Sequence, residues 1–291
     1  MGNRFIKAIS KNKEVRMYLI NSTDMVENSR KIYGSTPIST AALGRTITAA
    51  SILGKTLKNK NDKFTLRIKG SNKIESILAV SDYKGTVKGY ISDPFVETIV
   101  NKNGKLDIGN AVGKEGKIFI IRDYGLKEPY VGSADLVSGE IADDLANYFM
   151  YSEQQPTVFS LGVFVNTDGI VEAAGGLLIQ TMPDITEETI IKIEESFSKI
   201  KPISTLINEK NSLEDIIKDN FESLEFEIIE ITETKLSCDC SRERMEKALI
   251  SLGKDEINDM IKKDKGAELH CHFCNTYYKF SENDLKNIIK Q

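Results

Sequence analysis

Four cysteines, Cys238, Cys240, Cys271 and Cys274, are the only ones in the chain, and they form two close pairs with thirty residues between them. No other feature constrains the fold as much. A disulfide-bonded secreted protein would be smaller or would spread its cysteines more widely. In a reducing compartment, two close pairs read as a metal site. Cys-x-Cys and Cys-x-x-Cys can each aim two sulfurs at one ion, completing a tetrahedron at about 2.3 Å. Soft thiolates in that geometry select zinc or an iron–sulfur cluster, and one zinc per chain is the expectation. The only two histidines, His270 and His272, flank Cys271 and can each stand in for a cysteine, but four thiolates already complete the set.

The residues around the pairs predict a small module over 236–291. Ser241 can cap a helix, SRERMEKALISL, that ends at Gly253. DEINDMIKK reads as a second helix, and AELHCHFCNTYYKF as a hairpin with the second pair near its turn. Ser281 opens a last short helix. So short a segment has little core of its own, so metal binding is expected to supply much of its folding energy. Two readings of the site stay open. It can be a static knuckle. Alternatively, each pair can close on itself as a small disulfide, and strained, exposed disulfides tend to be labile and regulatory.

The preceding chain predicts an α+β domain over 1–183, built from antiparallel sheets with packed helices. FIKAI and VRMYLI are strand-like; Thr36 and Pro37 open a helix, STAALGRTITAASILGKTL, whose small residues suit tight packing. KFTLRIKG, SILAVSD, GTVKGYISDP, KLDIGN, GKIFIIRDYG and EPYVGSADLVSG then alternate as short strands. A helix is expected from Glu140 to about Tyr151, capped by Ser138, with Ile141, Leu145 and Tyr148 or Phe149 inward. TVFSLGVFVN and IVEAAGGLLIQTMP form a hairpin about Thr167-Asp168-Gly169. Gly175-Gly176 lets strands approach or bend.

Over 184–235 the character changes. Fourteen acidic residues stand against six lysines, yet two helical stretches carry apolar stripes: Ile190, Ile193 and Phe197, then Leu213, Ile216, Ile217 and Phe221. Ser212 and Asp215 give the second a start signal. This stretch reads as a helical linker, metastable unless it lies on a neighbouring domain.

Composition excludes several classes. A net charge of −4 with mixed signs argues against a protein built to hold nucleic acid. No apolar run reaches the roughly 20 residues of a membrane span, and MGNRFIKAISKNKEVR lacks a signal-peptide core, so a cytoplasmic protein is the expectation. GNAVGKEG over 109–116 lacks the spacing and lysine-hydroxyl ending of a phosphate loop. Ser138-Gly139-Glu140 reads as a helix start, and no histidine outside the cysteine module can serve a serine nucleophile. No enzyme is expected. The rival reading is a zinc-ribbon nucleic-acid binder using Tyr277, Tyr278 and Lys279, against which the nearby acidic residues count.

CDCSRERMEKALISLG, EINDMI and CHFCNTYYKF resemble the redox-regulated heat-shock holdases, the 33-kDa chaperonin family. TPISTAALGR, YVGSADLVSGEIADDLANYFMYSEQQPTVFSLGVFV and AAGGLLIQTMP agree, so the resemblance covers essentially the whole chain. Small departures fall at Ser71-Asn72-Lys73, without glycine or proline, and at Ala134-Asp135, in place of a more apolar pair. The resemblance implies that the reduced, zinc-bound form is inactive. Oxidation would join Cys238 to Cys240 and Cys271 to Cys274, free the zinc and unfold the module and the linker. The activated protein would form a homodimer and hold unfolding client proteins without ATP.

Overall fold

The computed structural model describes residues 3–209 and 212–289. The chain divides into two compact units, Met1–Leu236 and Ser237–Gln291.

The larger unit is α+β and rests on two five-stranded antiparallel sheets. The first contains β1 (Arg4–Ser10), β2 (Val15–Asn21), β8 (Thr157–Val165), β9 (Val171–Thr181) and β10 (Phe226–Glu233), in the order β10-β1-β2-β9-β8. The second contains β3 (Lys63–Lys69), β4 (Ser76–Asp82), β5 (Val87–Ile91), β6 (Lys117–Asp123) and β7 (Tyr130–Asp135), in the order β5-β4-β3-β6-β7. Helix α1 (Thr23–Tyr33) leads into α2 (Pro37–Gly54), which touches β3, β4 and β5 of one sheet and β8 and β9 of the other. Of the residues in α2 only Pro37 and Arg45 are not buried. Such burial requires its hydroxyls to be partnered. Thr48 Oγ1 lies 2.7 Å from Ser22 Oγ, and Ser51 donates to the Gly85 carbonyl at 2.7 Å. The Gly175-Gly176 pair in β9 explains how helices approach both faces of one strand. A Cβ at Gly175 would lie 2.2 Å from Ile207 Cδ1, and one at Gly176 would lie 2.9 Å from Thr48 Cγ2.

Some local expectations differ from what forms. KLDIGN is not a strand: Asp107 accepts from Asn110 N and caps the short helix α3 (Ile108–Val112). Helix α1 was not anticipated. Helix α4 (Ala142–Ser152) is organised by Asp144, not Ser138. The fully buried Asp144 carboxylate accepts from the N–H groups of Val137, Ser138 and Ile141 at 2.8–2.9 Å, holding Ile141 at φ +70°. A β-branched residue in that region is held there only by such over-determined surroundings.

No break falls near Pro183, and residues 184–235 belong to the larger unit. They form α5 (Glu187–Lys199), α6 (Ile203–Asn208), α7 (Leu213–Asn220, with the Ser212–Asp215 capping box in place), a 3-10 turn and then β10. The expectation of an all-helical stretch misses this strand: FEIIEITE, rich in β-branched isoleucine, pairs with β1 from Arg4↔Glu233 to Ser10↔Phe226. A second apolar core lies beneath the stretch. Ile6, Ala8, Val15, Met17, Leu19, Ala173, Leu177 and Ile179 on the sheet are covered by Ile193, Ile203, Leu206, Ile207, Leu213, Ile216, Ile217, Phe221 and Leu224. Ion pairs fasten the edges: Arg4 grips Glu214 at 2.6 and 3.2 Å, and Lys55 meets Glu230 at 2.6 Å.

The smaller unit holds α8 (Arg242–Leu252), α9 (Lys254–Asp264), the hairpin β11 (Gly266–Cys271) and β12 (Thr276–Ser281), and α10 (Glu282–Ile289). Its buried apolar set among the described residues is Leu249, Ile257, Phe280, Leu285 and Ile288.

Candidate metal centre

Each cysteine pair is positioned by a local device. Ser241 accepts from Arg244 N and starts α8, which fixes Cys240 just before the helix. Arg244 pairs with Asp239, between the two cysteines of the first pair. The second pair spans the β11–β12 turn. Asn275, at φ +58°, donates its N–H to the Cys271 carbonyl at 2.8 Å, folding Cys274 back beside Cys271. Asparagine is among the few residues that take this conformation readily. Arg242 closes the base: it donates to the Lys279 carbonyl at 2.7 Å and to Asp284 at 3.0 Å, and lies over the Phe280 ring.

The four sulfurs converge. All lie within 4.8 Å of one another, with Cys238 and Cys271 3.7 Å apart and Cys240 and Cys274 3.2 Å apart. A tetrahedron with metal–sulfur bonds near 2.3 Å requires edges of about 3.8 Å, so the cluster is close to the size of a four-thiolate shell. All four are free thiols, Cys271 buried and the others half-buried. The donor set fits a soft metal ion. His270 and His272 are not part of it. His270 stacks on Tyr277 with centroids 4.3 Å apart and places Nε2 2.7 Å from Asn275 Oδ1.

Two neighbours of the sulfurs lay outside the sequence-based site. The Tyr278 hydroxyl is 3.1 Å from Cys240 Sγ, and the Thr276 hydroxyl is 3.2 Å from Cys274 Sγ. Both sit on β12, opposite the ligand-bearing strand, and the period-2 pattern of TYYKFS is the signal that could have found them. They bias the thiols differently. Burial raises Cys238 and Cys240 above the ordinary thiol value. Burial also works against ionisation of Cys274, but hydrogen bonding with the Thr276 side chain and backbone and with Cys240 outweighs it and brings that thiol to about 7. Hydrogen bonding to Cys240 pushes Tyr278 up to about 12, so its hydroxyl stays protonated and can donate to the sulfur. Cys274 is therefore a readier thiolate than Cys238 or Cys240, and the thiolate is the form that binds metals and reacts with oxidants.

The family model described as Hsp33 protein matches residues 3–281. The chain is 45% identical to the 33 kDa chaperonin of Clostridioides difficile (strain 630) over 291 residues, covering 100% of both chains. It is 41% identical to the 33 kDa chaperonin of Alkaliphilus metalliredigens (strain QYMF), again with 100% of both covered. The crystal structure of the 33 kDa chaperonin from Thermotoga maritima superposes with a TM-score of 0.92 at 35% identity, over 100% of this chain and 98% of that one. The chain belongs to the Hsp33 family of chaperones, and it carries that family membership together with a C-terminal cluster of four cysteines. Among the described residues, no helix is long and apolar enough to cross a membrane.

Proposed function

We propose that this chain is a redox-regulated holdase: an ATP-independent chaperone of the cytoplasm, inactive while reduced and metal-loaded. The observation that carries the reading is the convergence of Cys238, Cys240, Cys271 and Cys274 in a unit whose apolar core, among the described residues, is a cluster of five buried side chains. A unit that small rarely holds itself together by its core alone. Zinc is the metal the donor set suits best, one per chain, and when bound it supplies the cross-link between α8 and the hairpin.

Oxidation removes the ligands. Two thiols and one peroxide give one disulfide and two waters, so two peroxides convert the four cysteines to two disulfides. The family resemblance favours Cys238–Cys240 and Cys271–Cys274. With the ligands gone the unit loses its staple. Residues 184–235 then let go of the first sheet, and the face formed by Ile6, Val15, Met17, Leu19, Leu177 and Ile179 becomes available. An apolar face rimmed by charge suits unfolding proteins, which offer no fixed shape. The same exposure supports a homodimer of the activated chain.

The test is an oxidant titration under mild heat, reading zinc with a chromogenic chelator, thiols, disulfide pairing by peptide mapping, and aggregation of a heat-labile client. One zinc should leave per chain as suppression of aggregation appears. Equal suppression by the reduced, zinc-loaded protein defeats the switch.

A further inference from the structure

The segment that leads into the cysteine module closes strand edges of both sheets. β10 covers the outer edge of β1. A few residues on, the Lys235 carbonyl accepts from Val87 N at 2.9 Å, and Leu236 forms a parallel bridge with Val87 at the start of β5. Leu236 is two residues before Cys238.

β10 is a loosely fitted cover. Ile228, Ile229 and Ile231 are all exposed, so it contributes backbone pairing more than core. Its register slips opposite Lys7 and Ala8. Thr232 Oγ1 in the strand and Thr234 Oγ1 just beyond it are buried with no hydrogen-bond partner among the described residues. β1, by contrast, is locked in place. Phe5 is buried in the main core, Ile6 and Ala8 in the second, and the strand pairs with β2 from Phe5↔Ile20 to Ile9↔Arg16. Removing β10 would leave a firm seven-residue strand with a free row of N–H and C=O groups.

The charge of that edge is also set. β10 brings Glu227, Glu230 and Glu233, of which Glu230 lies opposite Lys7 and bonds Lys55, while Glu233 lies opposite Arg4. Burial, then the nearby Arg16, lowers Lys7 below the ordinary lysine value; Glu230 opposes this and Lys55 adds to it. Without residues 184–235, which supply Glu230, Glu233 and, from α7, the Glu214 that pairs with Arg4, the edge has cations and none of these counter-charges.

We propose that the β1 edge, uncovered when β10 is released, takes up extended client segments as an added antiparallel strand, with preference for segments that alternate apolar and acidic residues. This rests on the reading that residues 184–235 let go on activation. Strand addition draws its affinity from main-chain hydrogen bonds, which any extended polypeptide can make, and its selectivity from alternate side chains. It therefore answers how one site accepts clients of unrelated sequence.

Hydrogen–deuterium exchange on the full-length chain tests this. Two synthetic peptides serve as probes, one alternating valine with glutamate and one alternating valine with lysine. The amides of Arg4–Ser10 should be protected at rest and lose protection after peroxide and mild heat. They should then exchange about tenfold more slowly with the glutamate peptide than with the lysine one. Loss of protection over α5–α7 without any recovery over Arg4–Ser10 overturns this proposal alone. Protein that keeps α5–α7 protected after peroxide overturns it together with the switch. Recovery that needs no peptide and tracks dimer formation assigns the edge to a second copy's β10, and overturns it too. A locked variant, Ile9→Cys with Glu227→Cys, joins directly opposed residues. Oxidised, it should lose zinc like the wild type yet suppress client aggregation several-fold less; equal suppression refutes the edge as a docking site.

Discussion

Ile216→Ala would separate the sensing part of the proposed switch from the part proposed to hold clients. Ile216 is 1% exposed and faces the second core from α7, which contacts β2. Truncating a buried isoleucine to alanine costs about 2–4 kcal/mol. That cost falls on the docking of residues 184–235 and leaves the four cysteines, in the other unit, untouched. If docking gates activity, the released population at rest should rise by roughly 30- to 700-fold, since about 1.4 kcal/mol is tenfold. The reduced, zinc-loaded variant should then show measurable suppression of client aggregation with no oxidant present, and faster amide exchange over α5–α7 than the wild type. Ile229→Ala, at a 55% exposed position of β10, is the matched control and should behave like wild type. A resting Ile216→Ala protein that is as inactive as wild type, although its α5–α7 amides exchange faster, refutes the idea that this face is what clients bind. If it is active only because zinc has been lost, the two parts are not separable as argued.

Other expectations follow from single contacts. Chelation of zinc should abolish most far-ultraviolet helical signal from α8–α10, and Cys271→Ser should bind zinc far more weakly; full affinity in that variant would displace Cys271 from the ligand set. Tyr278→Phe removes the hydroxyl 3.1 Å from Cys240 Sγ and should weaken zinc binding by about tenfold, read by competition with a chromogenic chelator. Glu27 accepts from Arg30 at 2.7 and 2.8 Å and from Val171 N; these bonds, the Arg30 pair first, hold its carboxyl down at about 2, against an ordinary value of 4.5. A depressed carboxylate stabilises the fold above its unfolded value, and that contribution fades as pH falls from about 4.5 through about 2. Glu27→Gln should therefore cost about 1–2 kcal/mol at pH 7, discounted for solvent screening, and much less at pH 2, measured by urea unfolding. A difference that does not shrink on acidification would mean that Glu27 acts through packing.

The clustering of the four cysteines was legible because the signals for it are local. Cysteine spacing, the Ser241 cap and the β11–β12 turn all lie within a few residues of what they position, so the cluster can be read without knowing the fold. Its outer neighbours were less legible for a physical reason: Tyr278 and Thr276 matter through the face of a strand they occupy, and a one-residue change of register would turn both away. The same limit explains Asp144. Its carboxylate gathers N–H groups from Val137 to Ile141, a turn that only the folded loop defines, and the nearer serine looked like the cap.

Residues 184–235 show where local reading stops. Their apolar stripes and the Ser212 cap announce helices, and α5 and α7 form where the stripes predict. FEIIEITE carries four apolar residues among three glutamates and a threonine, a pattern that suits a strand only if a partner strand exists. That partner is β1, more than two hundred residues earlier in the chain. A contact of that separation leaves no mark in a local window, because the loop that closes it is the whole domain. It also makes functional sense of the composition. The glutamates of this acidic strand meet cations: Glu233 lies opposite Arg4 and Glu230 opposite Lys7 on β1, and Lys55 at the end of α2 bonds Glu230. Such pairing rests on exposed backbone and a few ion pairs more than on buried area, the property that the proposed release on loss of the metal requires.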